Sequence, residues 1–365
     1  VGSIGSMGEV WPEVRRIAVV RGGGLAELLL VMPAIEALAV AYPGARIVLL
    51  GSRVHVELLE GRPGPIHEVI ALPLGCTEVS GAVDAEVEAE FFRRICCAPV
   101  DLGVQLHDDG RWSNGFLHQL HPHWSVGSGT PGAAPLTRTL PFRPHQHETL
   151  RALEIVGLAG ARATGLHPRV AVVDADRAAA DELLADMPTP LIALAPGAED
   201  GWRRWPVDRF AEVAAHCLRR GFGVVALGAD RDRELLARLR ARVGERAAGV
   251  ELKVFVGVGL SAICGVLARS DVLIGNAGGL RELAAAVGTP TIGVFWIGTA
   301  LVAGPLGRSR DRVLLSWNTN CPVCGQDWTD ETGAPCAHEV SLVDGVRVEQ
   351  VLAEVDGVLS ERREL

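Results

Sequence analysis

The residues with the strongest chemical signature lie between Ser270 and Pro290. Val272–Ile274 are consecutive apolar residues of the kind buried on both faces of a parallel sheet. Gly278 and Gly279 allow a sharp turn, and Leu280–Val287 repeats its apolar positions at helical spacing. Strand, glycine turn and helix in that order leave free backbone N–H groups at the positive end of a helix, where a phosphate or diphosphate is favoured. An ordinary βα connection without a ligand has the same pattern. A second such unit stands near the start: the strand Arg16–Val20, the turn Gly22–Gly24 and the amphipathic segment Leu25–Ala41. A third constellation is Cys321-Pro-Val-Cys324 with Cys336-Ala-His338, three thiols and an imidazole at a spacing that can close around tetrahedral zinc. With all four ligands from protein such a zinc is structural; a reduced loop of unligated thiols is the alternative. His118, His121 and His123, with His107, form a second histidine group, but Pro122 and the lack of a nearby carboxylate favour a polar loop there.

Composition narrows the function classes. At 365 residues, 48% hydrophobic and 22% charged, the chain suits two globular cores. The net charge of −9 gives no reason to expect nucleic acid, and the cluster Arg231–Arg242 alternates with acids as a solvated helix face does. No apolar run approaches the roughly 20 residues that span a bilayer, so a cytoplasmic protein without a membrane span is expected. Val1–Ser6 reads as a leader outside the fold. Eight cysteines in so long a chain are expected to be reduced, with Cys96, Cys97, Cys217 and Cys264 in the core. Lys253 is the single lysine beside many arginines and alanines, a bias that points to a GC-rich genome.

These groups need a scaffold. After the first strand, turn and helix come strand Ala45–Gly51, helix Val54–Leu59, strand Glu68–Leu72 and strand Val100–Leu106. Gly127–Pro144, rich in Pro, Gly and Thr, reads as loop or linker, and His147–Leu158 as a helix. A second series follows: strand Arg169–Val173, a helix near Asp176–Asp186, strand Leu191–Ala195, helix Val207–Arg219, strand Gly223–Leu227, helices Asp230–Val243 and Leu260–Ala268, and the strand, turn and helix described first. Such alternation predicts two doubly wound α/β domains with ligands between them at the carboxyl ends of the strands. The expected limits are 7–165 for the first, 166–345 for the second, and 346–365 for a C-terminal helix that packs back on the body.

Arg16–Pro33 resembles the opening of glycosyltransferase family 9, the heptosyltransferase family, where a glycine turn leads to Gly-Asp and an apolar helix with Pro-Ala. Ala195–Ala198 with Arg203–Pro206 is similar to the family's Pro-Gly-Ala and basic-x-Trp-Pro motifs. Gly275–Pro290 resembles its Gly-Asn-Asp-(Ser/Thr)-Gly-x-x-His-Leu-Ala donor motif, and Gln105–Asn114 resembles a tract of its first domain. The resemblance runs from about residue 16 to 360. It implies a GT-B fold of two Rossmann-like domains, the first holding an acceptor and the second a nucleotide-diphosphate sugar such as ADP-heptose. It also implies inverting transfer that needs no metal or other cofactor for catalysis.

Carried over residue by residue, the family's Asp is Glu27, either the catalytic base or a glutamate that complements the helix dipole. The donor side comprises Gly24, Gly197, Arg203, Arg204, Asp232, Asn276, Ala277, Gly278, Gly279, Leu280 and Glu282, and the acceptor side His107, Arg111 and Asn114. Arg203 is either a phosphate anchor or a surface arginine on Trp205. Asp232 either accepts ribose hydroxyls or starts a helix. Ala277, Gly278 and Glu282 replace the family's Asp, Ser/Thr and His, and an anionic Glu282 beside a diphosphate requires a partner such as Arg281. Three readings follow: transfer with an unusual donor or acceptor, in which a specialised metabolite or an envelope glycan is the expected acceptor; a catalytically silent nucleotide-sugar-binding protein; or an atypical nucleotide-sugar rearrangement. Oligomeric state is not legible from the sequence.

Overall fold

The protein is described from a computed structural model covering residues 8–73, 85–247, 249–329 and 336–363. The leader expected at Val1–Ser6 lies outside the described residues. The chain divides into two compact units, Val1–Ala171 and Val172–Leu365.

The first unit contains strands β1 (Arg16–Val20), β2 (Arg46–Gly51), β3 (Glu68–Ala71), β4 (Leu102–Gln105), β5 (Trp124–Gly129) and β6 (Arg138–Pro141). Its helices are α1 (Leu25–Ala41), α2 (Arg53–Leu59), α3 (Ala85–Ile95), α4 (Ser113–His118) and α5 (Glu148–Gly157). The strands form one parallel sheet in the order β3-β2-β1-β4-β5-β6. Ile17–Val20 and Ile47–Leu50 are fully buried because helices cover both faces, which explains their unbroken apolar runs. Helix α1 is buried from Leu28 to Ile35 despite Pro33, and the Thr149 hydroxyl of α5 donates to the Leu30 carbonyl at 2.8 Å, joining the two helices near the proline.

The second unit repeats the plan with β7 (Leu191–Ala195), β8 (Gly223–Gly228), β9 (Lys253–Val256), β10 (Val272–Asn276), β11 (Thr291–Trp296) and β12 (Asp311–Ser316). Its helices are α6 (Asp174–Leu183), α7 (Val207–Arg219), α8 (Arg233–Arg246), α9 (Leu260–Arg269), α10 (Gly279–Ala286), α11 (Ile297–Ala303) and α12 (Val348–Arg363). The sheet order is β12-β11-β10-β7-β8-β9, again all parallel. Helix α12 belongs to this unit's core through Val351, Val355, Val358 and Leu359, beside Phe210, Ala214 and Cys217 of α7. Burial of each such aliphatic side chain contributes about 1.5–3 kcal/mol.

Several expectations need correction. Gly127–Pro144 is not a linker: the end of β5 and all of β6 lie within it. Its Gly and Pro residues are structural, since a Cβ on Gly127 would come within 2.9 Å of the Gln105 Cβ, and Pro141 ends an edge strand, where a missing N–H is tolerated. Arg169–Val173 is an extended connector, because no neighbouring strand pairs with it; Arg62 donates to the Ala171 carbonyl instead. Cys96 and Cys97 follow α3 and are exposed, whereas Cys217 and Cys264 are buried. The histidine-rich tract is partly helical: α4 sends Phe116 and Leu117 into the core, and His118 contacts the Pro135 carbonyl. Among the described residues no helix is long and apolar enough to cross a membrane.

Candidate active site

In each sheet the chain order reverses once, between β1 and β4 in the first unit and between β7 and β10 in the second. Loops leaving the carboxyl ends of two such strands diverge and open a crevice, which is where this class of sheet binds ligands. The residues singled out from the sequence concentrate at these two points.

In the first unit the loop after β1 is Arg21–Gly24. Gly23 has φ +91°, a conformation that favours glycine, and it lets the backbone turn directly into α1. Glu27 lies in the first turn of α1, and its Oε2 accepts the Gly24 N–H at 3.0 Å. Among the described residues nothing hydrogen-bonds the other carboxylate oxygen. The loop after β4 brings His107 to the same place: its Nδ1 accepts the Gly22 N–H at 3.2 Å, and its ring meets Trp112 edge-on. Burial pushes the His107 imidazole below its usual range.

Two residues missed from sequence hold this turn. Arg21, 3% exposed, donates to the carbonyls of Glu27 (2.9 Å), Leu106 (2.6 Å) and His107 (2.8 Å), and pairs with Glu148 at 3.3 Å. Burial lowers its pKa, while Glu148 and Glu27 favour the charged form. His55 of α2 accepts the Ser52 N–H through Nδ1 and donates from Nε2 to the Gly24 carbonyl at 2.9 Å. Position beside the glycine turn was the only available signal for Arg21; His55 gave none.

His55 supplies a pH signature. Burial holds it down to about 4, so the folded chain refuses a proton that the unfolded chain takes up below about pH 6.5. Its contribution is complete above pH 6.5 and is lost as the pH falls to 4, a loss of about 3 kcal/mol. Denaturant unfolding at pH 7 and pH 4 should therefore show a smaller difference for His55→Gln than for the native chain; equal differences would remove His55 as the cause.

Asn114 does not reach the crevice. It is fully buried; its amide donates to the Ser128 and Ala134 carbonyls at 3.2 and 3.0 Å and so shapes the β5 loop, while its buried oxygen has no hydrogen-bond partner among the described residues. Arg111 is exposed, beside Asp109 and Thr130.

In the second unit the turn after β10 leads through Gly278 into α10. The first helical hydrogen bond is Glu282 N–H to the Gly278 carbonyl at 3.1 Å, which leaves the N–H groups of Gly279, Leu280 and Arg281 without helical partners. The Ala277 N–H is not among the free donors, since it is spent on the Val294 carbonyl at 3.2 Å. Asn276 is also internal: its Oδ1 accepts the Trp205 N–H at 2.9 Å and its Nδ2 donates to the Pro196 carbonyl at 2.8 Å. It ties the loop after β7 to the loop after β10. Asn276→Ala strands both partners and should cost about 2–4 kcal/mol, lowering the melting temperature by about 5–15 °C in a thermal scan. An unchanged melting temperature would show the bridge to be dispensable.

The loop after β7 carries Gly197, Arg203 and Arg204. A Cβ on Gly197 would lie 2.7 Å from the Asp232 carboxylate, so glycine is required for that approach. Asp232 is 5% exposed; one oxygen accepts the Ala229 N–H at 3.1 Å, and the other has no hydrogen-bond partner among the described residues. Arg204 is occupied with the Ala198 carbonyl at 2.9 and 3.1 Å and braces the turn. Arg203 stacks on Trp202 rather than Trp205, with 4.6 Å from guanidinium carbon to ring centroid, and its Nε lies 3.2 Å from Asp200. Trp205 is buried in the core.

The family model for glycosyltransferase family 9 (heptosyltransferase) matches residues 143–329, just over half of the chain. The chain belongs to glycosyltransferase family 9. Lipopolysaccharide heptosyltransferase 2 of Salmonella typhimurium is 27% identical over 179 residues, 47% of each chain. The match thus spans about half the length of that curated relative. Among solved structures, a family 9 glycosyltransferase from Veillonella parvula has a TM-score of 0.75 at 19% identity, covering 95% of this chain and 97% of that one. E. coli ADP-heptose lps heptosyltransferase II has a TM-score of 0.73 at 18% identity, covering 95% and 99%. Two parallel six-stranded sheets flanked by helices are the GT-B architecture of these structures.

In the family 9 donor motif Glu282 stands at the His position. Glu282 is buried and salt-bridged to Arg281, which reaches on to Thr291 Oγ1 at 3.4 Å and Asp311 at 3.5 Å and lies over Phe295. The acid expected to repel a diphosphate is therefore paired within the fold, sharing the Arg281 guanidinium with Asp311.

The Cys/His group also assembles. Ligand atoms of Cys321, Cys324, Cys336 and His338 all lie within 4.8 Å of one another, with 3.4 Å between the sulfurs of Cys324 and Cys336 and 3.1 Å from Cys336 Sγ to His338 Nδ1. A tetrahedron with metal–sulfur bonds of about 2.3 Å has edges of about 3.8 Å, so small adjustments admit an ion. Burial works to raise the Cys321 pKa, but N–H donors of Cys324 and Val323 and the neighbouring thiols bring it down to about 6; the His338 N–H works to lower Cys336, but burial and the thiols of Cys324 and Cys321 push it up to about 11.

Proposed function

We propose that the protein transfers a sugar from a nucleotide-diphosphate donor such as ADP-heptose to a hydroxyl of a small-molecule or glycan acceptor, with inversion and without a catalytic metal. The observation that carries the reading is the α10 amino terminus at the switch point of the second sheet, where N–H groups are free and no acidic side chain is exposed at the turn. Gly278, Gly279 and Leu280 receive the diphosphate, and Arg203, one-third exposed, neutralises charge on the departing nucleotide. The Asp232 oxygen that has no hydrogen-bond partner, although buried, is assigned to a ribose hydroxyl. Glu27 removes the acceptor proton, with His107 and Arg111 on the acceptor side and Arg21 and His55 holding the turn.

Cys321, Cys324, Cys336 and His338 would hold a structural zinc; thiolate-rich sites also suit iron. A metal held there would be structural, with all four ligands from protein and no open position for transfer chemistry.

The replacement of the family's Asp and His by Ala277 and Glu282 favours, as a second reading, a protein that binds the donor without turning it over. Calorimetry with ADP- and UDP-sugars, followed by mass spectrometry of acceptor mixtures, separates the two. Binding with a new glycoside supports transfer, binding alone supports the silent protein, and no binding to either donor class defeats both.

A further inference from the structure

The Cys/His loop ends on the segment that carries Arg203. Trp328, between Cys324 and Cys336, packs its ring 5.4 Å from that of Trp202. Trp202 in turn meets Trp296, at the carboxyl end of β11, edge-on at 5.4 Å, and carries the Arg203 guanidinium on its ring. From the other side of the loop, just past His338, the Leu342 N–H donates to the Trp202 carbonyl at 2.9 Å and the Ser341 hydroxyl to the Arg204 carbonyl at 2.7 Å. The residues flanking Arg203 are thus contacted by Trp328 on one side and by Ser341 and Leu342 on the other, next to the four gathered ligand atoms; residues 330–335 between lie outside the described residues.

We propose that this Cys/His loop is a clamp on Trp202–Arg204, so that closing it on a metal sets the position of Arg203 and raises affinity for a nucleoside diphosphate. This rests on the assignment of Arg203 to the donor phosphates. The physical basis is linkage. A metal that draws the four ligands together favours the tilted contact of Trp328 with Trp202 and, through Trp202, the position of Arg203, and binding at one site then strengthens binding at the other by the same factor. Trp328 and Trp202 are positioning residues in this scheme and touch no substrate.

The test is calorimetric titration of ADP into the full chain, first loaded with zinc and then stripped by a chelator, with circular dichroism to confirm that the fold persists. Stripping is expected to weaken ADP binding about five- to tenfold, within the usual range of such couplings. Trp328→Leu, which keeps all four ligands, should weaken ADP to a similar degree while zinc content is unchanged, and Trp328→Phe should restore most of the loss. Arg203→Met should weaken ADP at least tenfold, and on that background stripping the zinc should have less than a twofold further effect. Independent, multiplying effects would overturn the clamp, as would unchanged ADP affinity in both the stripped protein and Trp328→Leu, or failure of the chain to take up zinc. If Arg203→Met binds ADP normally, the assignment of Arg203 itself is wrong and the clamp falls with it.

Discussion

Glu27→Gln is expected to lower turnover by about 10²–10⁴-fold while leaving the affinity for the nucleotide-sugar donor within about twofold. The substitution keeps the length of the side chain and an oxygen that can accept the Gly24 N–H, so the first turn of α1 stays capped. What it removes is the capacity to take a proton from the acceptor hydroxyl. Steady-state kinetics beside calorimetry reads both quantities. A fall in donor affinity with unchanged turnover would reassign Glu27 to a structural role at the helix terminus, and unchanged values of both would remove it from the site.

Arg203→Met should weaken ADP binding by about ten- to a hundredfold, the range of a hydrogen-bonded charged contact of about 1.5–3 kcal/mol. Methionine preserves much of the apolar stem that lies on Trp202. The loss should therefore appear in diphosphate binding and not in the melting temperature, and ADP should lose far more than adenosine. Equal losses for the two ligands would mean that Arg203 acts on the nucleoside, or only through the local fold.

The parts of this molecule legible in the sequence are those that local pattern specifies. Unbroken apolar runs such as Ile17–Val20 and Val272–Ile274 mark strands covered on both faces, and glycine followed by helical periodicity marks the two turns. The gathering of Cys321, Cys324, Cys336 and His338 is legible too, because the close spacing within each pair restricts where their side chains can go. Strands β5 and β6 escaped because their Gly and Pro residues answer to neighbours distant in sequence: Gly127 makes room for Gln105 and Leu136. Cys96 and Cys97 were misread since burial depends on which face a helix end presents, which two adjacent cysteines do not reveal.

Within the site, residue type identified the crevices but not the direction of each side chain. Asn114 and Asn276 both carry amides suited to a ligand, yet each spends them on backbone carbonyls of other loops. Arg204 and Glu282 are likewise turned to internal partners. His55 is invisible in sequence because its role comes from the contact of α2 with the Gly24 carbonyl, set by sheet order rather than by any local motif.

In the proposed reaction, backbone amides at the start of α10 hold a diphosphate where the family motif has acidic and hydroxyl side chains. A crystal structure of the chain with ADP or a non-transferable ADP-sugar tests it directly. The account predicts phosphate oxygens within about 3.2 Å of the N–H groups of Gly278, Gly279 or Leu280, with Arg203 turned towards the same phosphates. Nucleotide bound in another groove, with the turn after β10 empty, would contradict it.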